Sequence, residues 1–470
     1  MRTQGSLNLR FGLTVFGFII AASHNLSSIM ERKMTMKKLI VFAATCSFAL
    51  AIYLPGTVSS NTSDKNSVTF AKQVAPIFQK RCEECHREGG MAPMSLATYE
   101  ESRPWARSIK EKVAGREMPP FHAAGAVGRY LNDPRLTDEE IATVVKWVDG
   151  GAPKGDPKDL PAPVRWKDEW PFGEPDLVLK PKQSYTIKGV KQDQYVFFVF
   201  DYALPEDTWI RSIVTRPGNI KAVHHANTHV VTPALQAPES GFFEGDFEPS
   251  KRGTIMVSGW APGVQPITLA DGVAIKIPKG MRFGIQIHYA PAEKDTIDQT
   301  QVGVYFADGL IKKQIRVLFG DRKDLSIPPN DANYSLTSTK TFDADSVISF
   351  FHVHMHLRGK SYLMRMTYPD GRQEVALEVP RYDFNWQRTY VLNEPIRVPK
   401  GTKVDFIGTY DNSPKNKFNP DPSKNVQWGE KTTDEMMQGR MFYEAADENL
   451  NVQVKKGRAV ASTASGGKGE

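Results

Sequence analysis

The stretch IKIPKGMRFGIQIHYA at 275–290 returns as IRVPKGTKVDFIGTYD at 396–411, an offset of 121 residues. Each copy holds a Pro-Lys-Gly turn and then an alternating strand that closes on a tyrosine, Tyr289 or Tyr410. A spacing of this size fits one β-sandwich per copy. The chain is therefore constrained to carry two related, mainly β lobes, expected at 176–315 and 316–455. With 36 glycines and 32 prolines among 470 residues, the composition favours turns and short strands over long helices.

A histidine-rich strand precedes each copy, VHHANTHVV in the first and FHVHMHLRGK in the second, and the repeat predicts that these strands are equivalent. Side chains alternate across a strand. In MRFGIQIHY the apolar Met281, Phe283, Ile285, Ile287 and Tyr289 take one face, leaving Gln286 and His288 on the other. In FHVHMHL, Phe351, Val353, Met355 and Leu357 make the core face and set His352, His354 and His356 in a row opposite. Seven of the ten histidines lie between 224 and 356. Imidazole-rich sets without acidic ligands suit copper or zinc, and a thioether from TTDEMMQGRMFY at 432–443 shifts the preference towards Cu(I). The adjacent His224 and His225 would point to opposite faces of a regular strand, so a bulge or strand end has to turn them together.

Ahead of the lobes stands RCEECHREGG at 81–90. Cys82, Cys85 and His86 form the c-type haem attachment signature, two thiols for the two vinyl groups and an imidazole for the iron. A thioredoxin-like redox pair lacks its strand context here, and half a zinc site lacks a second ligand pair nearby. The spacing predicts an amphipathic helix over 70–81, and a second one in LTDEEIATVVKWVDGGAP at 136–153, opened by Thr137 and ended by Gly150 and Gly151. The segment 61–155 thus resembles a small all-α class I cytochrome c. The methionine ligand usual in that family would be Met118 of REMPPF, with Met91, Met94 and His122 as rivals. A proline-rich linker follows at 156–175, docking in places through Trp166 and Trp170.

The formal charge of +7 is concentrated at the front of the chain. Residues 1–60 hold six basic side chains against Glu31 alone, and the rest of the chain has 54 basic and 52 acidic residues. That balance gives no electrostatic ground for a nucleic-acid partner. From Met36, MKKLIVFAATCSFALAIYLPGTVSS combines two lysines, an apolar run and small residues before a cut, which is an export signal. Left uncleaved, the same run would be an anchor near the lower length limit for a membrane span. Export to the bacterial periplasm or cell envelope suits haem attachment. Cys46 departs with the signal, so no structural disulfide remains if Cys82 and Cys85 both hold haem. The tail at 456–470 is poor in apolar residues and is expected to be disordered.

Across 200–445 the chain resembles the copper type II, ascorbate-dependent monooxygenases, the family of peptidylglycine α-hydroxylating monooxygenase and dopamine β-hydroxylase. Four motifs stand in the family's order: His224-His225, Gln286-Ile287-His288-Tyr289, His354-Met355-His356-Leu357-Arg358-Gly359-Lys360 and Asp434-Glu435-Met436. The resemblance implies two jelly-roll-like lobes facing each other across a solvent-filled cleft. It implies an electron-transfer copper on His224, His225 and His288, and an oxygen-binding, catalytic copper on His354, His356 and Met436. His229 and His352 stay open as substitutes, and Met437 as the rival of Met436. His352 stands where the peptide-amidating enzyme has a substrate-holding arginine, and Arg440 where it has a tyrosine, so peptidylglycine is not the expected substrate. Thr409 takes the place of His288 in the second repeat, so each lobe needs a differently built site.

These features together predict an exported, multidomain oxidoreductase with one covalent haem and two coppers, which hydroxylates a small or medium organic substrate with O2. An external donor would reduce the haem, and its tether would hold it near the copper lobes at high local concentration. The alternative is a non-catalytic copper and haem electron carrier. A zinc hydrolase is disfavoured for want of an acidic general base beside the histidines.

Overall fold

The computed structural model describes residues 67–164, 166, 170–245 and 247–460. The expected export signal at 1–60 and residues 461–470 of the expected tail lie outside the described residues. Both Pro-Lys-Gly turns carry the chain from one sheet of a sandwich to the other. Gly280 and Gly401 sit at φ 79° and 85°, a left-handed geometry that glycine reaches without a Cβ clash. The flanking strands Val273–Ile277 and Arg282–Tyr289 fall in different sheets, as do Thr389–Val398 and Lys403–Tyr410.

In the first lobe one sheet runs, in spatial order, Leu177–Leu179, Gln301–Phe306, Thr208–Arg216, Val273–Ile277 and Lys313–Gln314. The other runs Phe242–Glu244, Gln194–Ala203, Arg282–Tyr289, Val223–Val231 and Ile255–Trp260. Ile210, Ile213, Val302 and Val304 from one sheet meet Val196, Phe198, Ile285 and Ile287 from the other in a single buried core. The second lobe sets Arg316–Phe319, Gln438–Ala445, Ser346–His354 and Thr389–Val398 over Tyr334–Thr341, Lys403–Tyr410, Gly359–Thr367 and Gln373–Val379. Its core joins Ile348, Phe351 and Val353 to Met364, Met366, Val404 and Phe406. Each such side chain removed from water contributes about 1.5–3 kcal/mol. The described chain is thus mostly β-sheet with few helices, arranged as two β-sandwich lobes.

The two histidine strands are not equivalent, which corrects the expectation from the repeat. Val223–Val231 lies beside Arg282–Tyr289, whereas Ser346–His354 lies beside Thr389–Val398, in the other kind of sheet. Strand for strand, Ser346–His354 corresponds to Thr208–Arg216. The two histidine pairs therefore sit at opposite ends of the same connection, one after it and one before it.

Residues 70–81 are helical, but in two pieces. A π-helical turn, Phe70–Val74, leads into Ala75–Arg81, because Pro76 in the first turn has no N–H to extend an α-helical ladder backwards. Asp138–Asp149 is capped by Thr137 and Glu140 and stops at Gly150, as the capping pattern predicts. Phe70, Phe78 and Trp147 interlock at ring-centroid separations of 5.9–6.2 Å.

This helical segment is not a tethered module. Residues 121–132 leave it as an arm that lies along the second lobe. Ala124 donates to the Glu378 carbonyl at 2.8 Å, Leu131 to Val391 at 2.8 Å, and Asn393 donates back to Arg129 at 3.0 Å. Phe121, Ala123 and Tyr130 are buried within the second lobe's core. The linker is docked too: Arg87 lies over the Trp166 ring at 5.2 Å, and the buried Trp170 takes Arg216 at 4.6 Å. Nor does the second lobe run to 455, since Val452–Lys455 pairs with Gly309–Ile311, and Val454 packs with Trp209 and Ile311 of the first lobe. Arg458–Ala459 adds one more strand there, in what is otherwise the expected tail. All described residues accordingly belong to one compact unit. Among the described residues no helix is long and apolar enough to cross a membrane.

Candidate metal and haem sites

Two adjacent histidines can converge only if the strand gives way. The register of Val223–Val231 against Arg282–Tyr289 shifts between Val223 and His225, a bulge at His224, and His225 then pairs directly with His288. The ligand atoms of His224, His225 and His288 all lie within 4.8 Å of one another. His225 Nδ1 is 3.2 Å from His224 Nδ1 and 3.3 Å from His288 Nδ1. Two nitrogens bonded to one ion at about 2.0 Å and a tetrahedral angle stand about 3.3 Å apart, so the spacing fits a bound metal. His288 Nε2 faces the Asp193 carboxylate at 3.3 Å. A carboxylate only accepts, so Nε2 keeps the proton and Nδ1 presents its lone pair to the cluster. His288 is only 2% exposed. It lies on the strand face away from the first lobe's core, and the Tyr195 ring covers it.

In the second lobe the strand stops at His354, so the expected row of three histidines breaks. His352 turns to the Thr389 hydroxyl at 3.3 Å, and Leu357 stays partly exposed while Arg358 is buried. The break has a cause in Glu435, a fully buried carboxylate that accepts the backbone N–H groups of His356, Arg358 and Met436. It ties the turn after the strand to the loop carrying Met436. Burial pushes the Glu435 carboxyl up to about 7. His354 Nδ1 bonds Gln387 Oε1 at 2.7 Å, and His356 Nδ1 bonds the Asp434 carbonyl at 3.2 Å. Both rings thereby donate from Nδ1 and leave Nε2 free for a metal. Their centroids are 5.0 Å apart. The Met436 sulfur accepts from Gln438 Nε2 at 3.4 Å, and Gln438 lies directly across the ladder from His354. Met437 is buried in the lobe's hydrophobic core and is no rival.

Burial holds His224 and His354 down to about 4, and drives His225 and His356 well below the ordinary histidine range. These imidazoles are neutral at physiological pH, as metal ligands must be. The remaining histidine of the first lobe, His229, stands apart with Nδ1 on the Thr254 hydroxyl at 3.0 Å.

The two clusters face each other. Phe384 stacks on His224 at 5.2 Å and meets His356 edge-on at 5.8 Å, which bounds the separation of those two imidazole centroids at 11.0 Å. An aromatic ring, rather than an open cleft, therefore stands between them. Asn385 hydrogen-bonds His224, and Gln387 holds His354. Arg388, next along, donates to the Gly263 carbonyl of the first lobe at 2.6 Å and lies within electrostatic reach of Cys85. One short segment, 384–388, thus touches both clusters and carries a charge that acts on Cys85.

Around Cys82 the backbone makes a single turn, His86 N–H donating to the Cys82 carbonyl at 2.9 Å. His86 Nδ1 bonds the Met94 carbonyl at 3.1 Å, leaving Nε2 open. That contact puts Met94 behind the imidazole, away from the side a sixth ligand must occupy. Met118 is 38% exposed and stands at the head of the arm rather than in the helical core. Burial pushes the Cys82 thiol up to about 12 and raises Cys85 as well. Such thiols stay protonated, unlike the depressed thiols of redox-active pairs or thiolate metal ligands. Two neutral thiols and an imidazole with a fixed tautomer fit covalent haem.

Sequence reasoning missed Asp193, Tyr195, Phe384 and Gln387, and it gave Glu435 no role. Only the unusual density of aromatic and amide side chains in YDFNWQR at 382–388 could have flagged part of this set.

No protein-family model matches the chain, and no curated protein matches it. Among solved structures, PNGase F aligns at 11% identity over 59% of this chain and 97% of its own, with a TM-score of 0.24. The STIV MCP aligns at 8% identity over 58% and 95%, TM-score 0.23. The infectious bursal disease virus VP2 subviral particle aligns at 9% over 58% and 72%, TM-score 0.18. Similarities this slight carry neither fold nor function to this chain.

Proposed function

We propose that this protein is an exported copper-dependent monooxygenase that hydroxylates a C–H bond of an organic substrate with O2, fed with electrons by a cytochrome c-like helical segment. The finer architecture in this reading is one small haem-bearing domain and two jelly-roll-like copper lobes. One observation carries it: three imidazoles converging through Nδ1 share Phe384 with a second pair of imidazoles, whose cross-strand neighbour Gln438 donates to the Met436 sulfur. When bound, copper in an all-imidazole set supplies one-electron transfer, copper with a thioether and an open position handles O2, and c-type haem carries single electrons.

The chain's own residues prepare that chemistry. Gln387 and the Asp434 carbonyl hold the Nδ1 protons of His354 and His356, so both rings present Nε2 in a fixed orientation. Glu435 binds the two ligand-bearing turns together. Phe384 packs against an imidazole of each set, and Arg388 joins the second lobe to the Gly263 carbonyl of the first.

A non-catalytic haem and copper electron carrier is the second reading, favoured by Phe384 filling the space where a substrate would approach. Metal analysis of the purified protein tests the first layer, with one iron and two coppers expected per chain. Oxygen uptake with a reduced donor and a panel of organic substrates separates the two readings. Hydroxylated product in step with O2 consumption, abolished by Met436→Ile with one copper retained, supports the enzyme. Uptake without product in every case leaves the carrier, and one copper or none in the parent protein defeats both.

A further inference from the structure

His288 is held by two first-lobe side chains, and both of these reach a residue of the other lobe. Its Nε2 meets Asp193 at 3.3 Å, and the Tyr195 ring stacks on it at 4.4 Å and 13°. Thr432 of the second lobe is in hydrogen-bond contact with the Tyr195 hydroxyl and lies close enough to the Asp193 carboxylate to stabilise its charge. Donor directions follow from valence. Asp193 can only accept, so it favours the proton on the His288 Nε2 that it approaches, and a Thr432 hydroxyl turned to it would accept its own hydrogen bond from Tyr195. A ring stack, a close imidazole–carboxylate approach and a hydroxyl–hydroxyl hydrogen bond thus connect His288 to Thr432.

Thr432 lies in the same loop as Asp434, whose carbonyl takes His356 Nδ1, and Met436. A single loop of the second lobe therefore braces ligands of both clusters. We propose that Asp193 and Thr432 are positioning residues that couple the two metal sites. Docking of the 431–436 loop orders Asp193, which fixes the tautomer and aim of His288, so metal capture by the first lobe depends on a hydroxyl from the second. The inference rests on the metal assignment made above.

The test is a Cu(I) titration of the full-length, haem-containing chain against a chromophoric bidentate chelator. A Met436→Ile background leaves the three-histidine site to be read alone. Asp193→Asn should weaken that site about 10–100-fold, the usual cost of removing the hydrogen-bond partner of a ligating histidine. Thr432→Val should weaken it about fivefold or more, an ordinary inter-site coupling. It should also alter the nitrogen hyperfine pattern in the Cu(II) electron paramagnetic resonance spectrum. Thr432→Ser, which keeps the hydroxyl, should restore both. An affinity for Thr432→Val within about twofold of the parent, far below ordinary coupling, overturns the proposal. So does a loss that Thr432→Ser fails to restore, since packing would then be the cause. Absence of copper binding at His224, His225 and His288 in the parent would instead remove the functional reading on which the proposal stands.

Discussion

His229 is a histidine that both clusters leave out, and its surroundings make it a reporter of acid stability. Its Nε2 is buried without a partner among the described residues, and burial together with the nearby Arg440 guanidinium pulls it down to about 3. The folded state therefore binds fewer protons than the unfolded state between pH 3 and the ordinary histidine value of about 6.5. Stability from this group is intact above pH 6.5 and is lost as pH falls through the window, by about 3 kcal/mol at pH 4. His229→Gln, which can still donate to the Thr254 hydroxyl, should flatten that loss when urea midpoints are compared at pH 7 and pH 4. Equal losses in both proteins would count against it. At this scale the histidines that converge at 224, 225 and 288 could be picked out because alternation and motif order act along the chain. Asp193, Gln387 and Thr432 were not, because each partner of theirs is reached across a sheet or across the lobe boundary, where sequence carries no spacing.

The strand Gln438–Ala445 shows what packing demands of an element. A Cβ at Gly439 would run into the Tyr362 hydroxyl and the Phe406 ring from the facing sheet, while the ladder on either side is fixed by Arg316–Phe319 and Ser346–His354. Neither sheet can retreat, so Gly439→Ala should cost about 1–3 kcal/mol by overpacking, seen as a lower chemical-denaturation midpoint with unchanged iron content. A midpoint equal to the parent's would mean that the sheets can part. Element by element, the Pro-Lys-Gly turns and the Thr137-capped helix follow from local chemistry, and the sequence expresses both. The equivalence of the histidine strands does not follow, because a repeat offset aligns what comes after the turn without saying which sheet the preceding strand joins. The π-turn before Pro76 was hidden for a simpler reason, since the apolar pattern over 70–81 suits either kind of helix.

For the whole molecule, the arm at 121–132 decides how the parts behave together. Tyr130 contacts Phe121 and Tyr390 at centroid distances of 5.7 and 5.6 Å, and its hydroxyl finds no partner among the described residues. Tyr130→Ala should therefore cost roughly 3 kcal/mol or more. Tyr130→Phe should be neutral or slightly stabilising, because it removes an unsatisfied hydroxyl. Hydrogen exchange should rise in Tyr130→Ala along Gln373–Val379 and Thr389–Val398, strands far from residue 130 in sequence, and protection unchanged there would show the arm to be superficial. Composition and periodicity set the helical segment apart from the lobes and drew its border as a clean cut, which the arm crosses. The arm's aromatic residues carry no mark that says whose core they fill.

The closing of Val452–Lys455 onto Gly309–Ile311 has a consequence for how the chain is made. The first lobe lacks that pairing until residue 455 has left the ribosome, so it must wait, incomplete, while its successor is synthesised. A nascent chain truncated near residue 445 should leave the older lobe the less finished of the two.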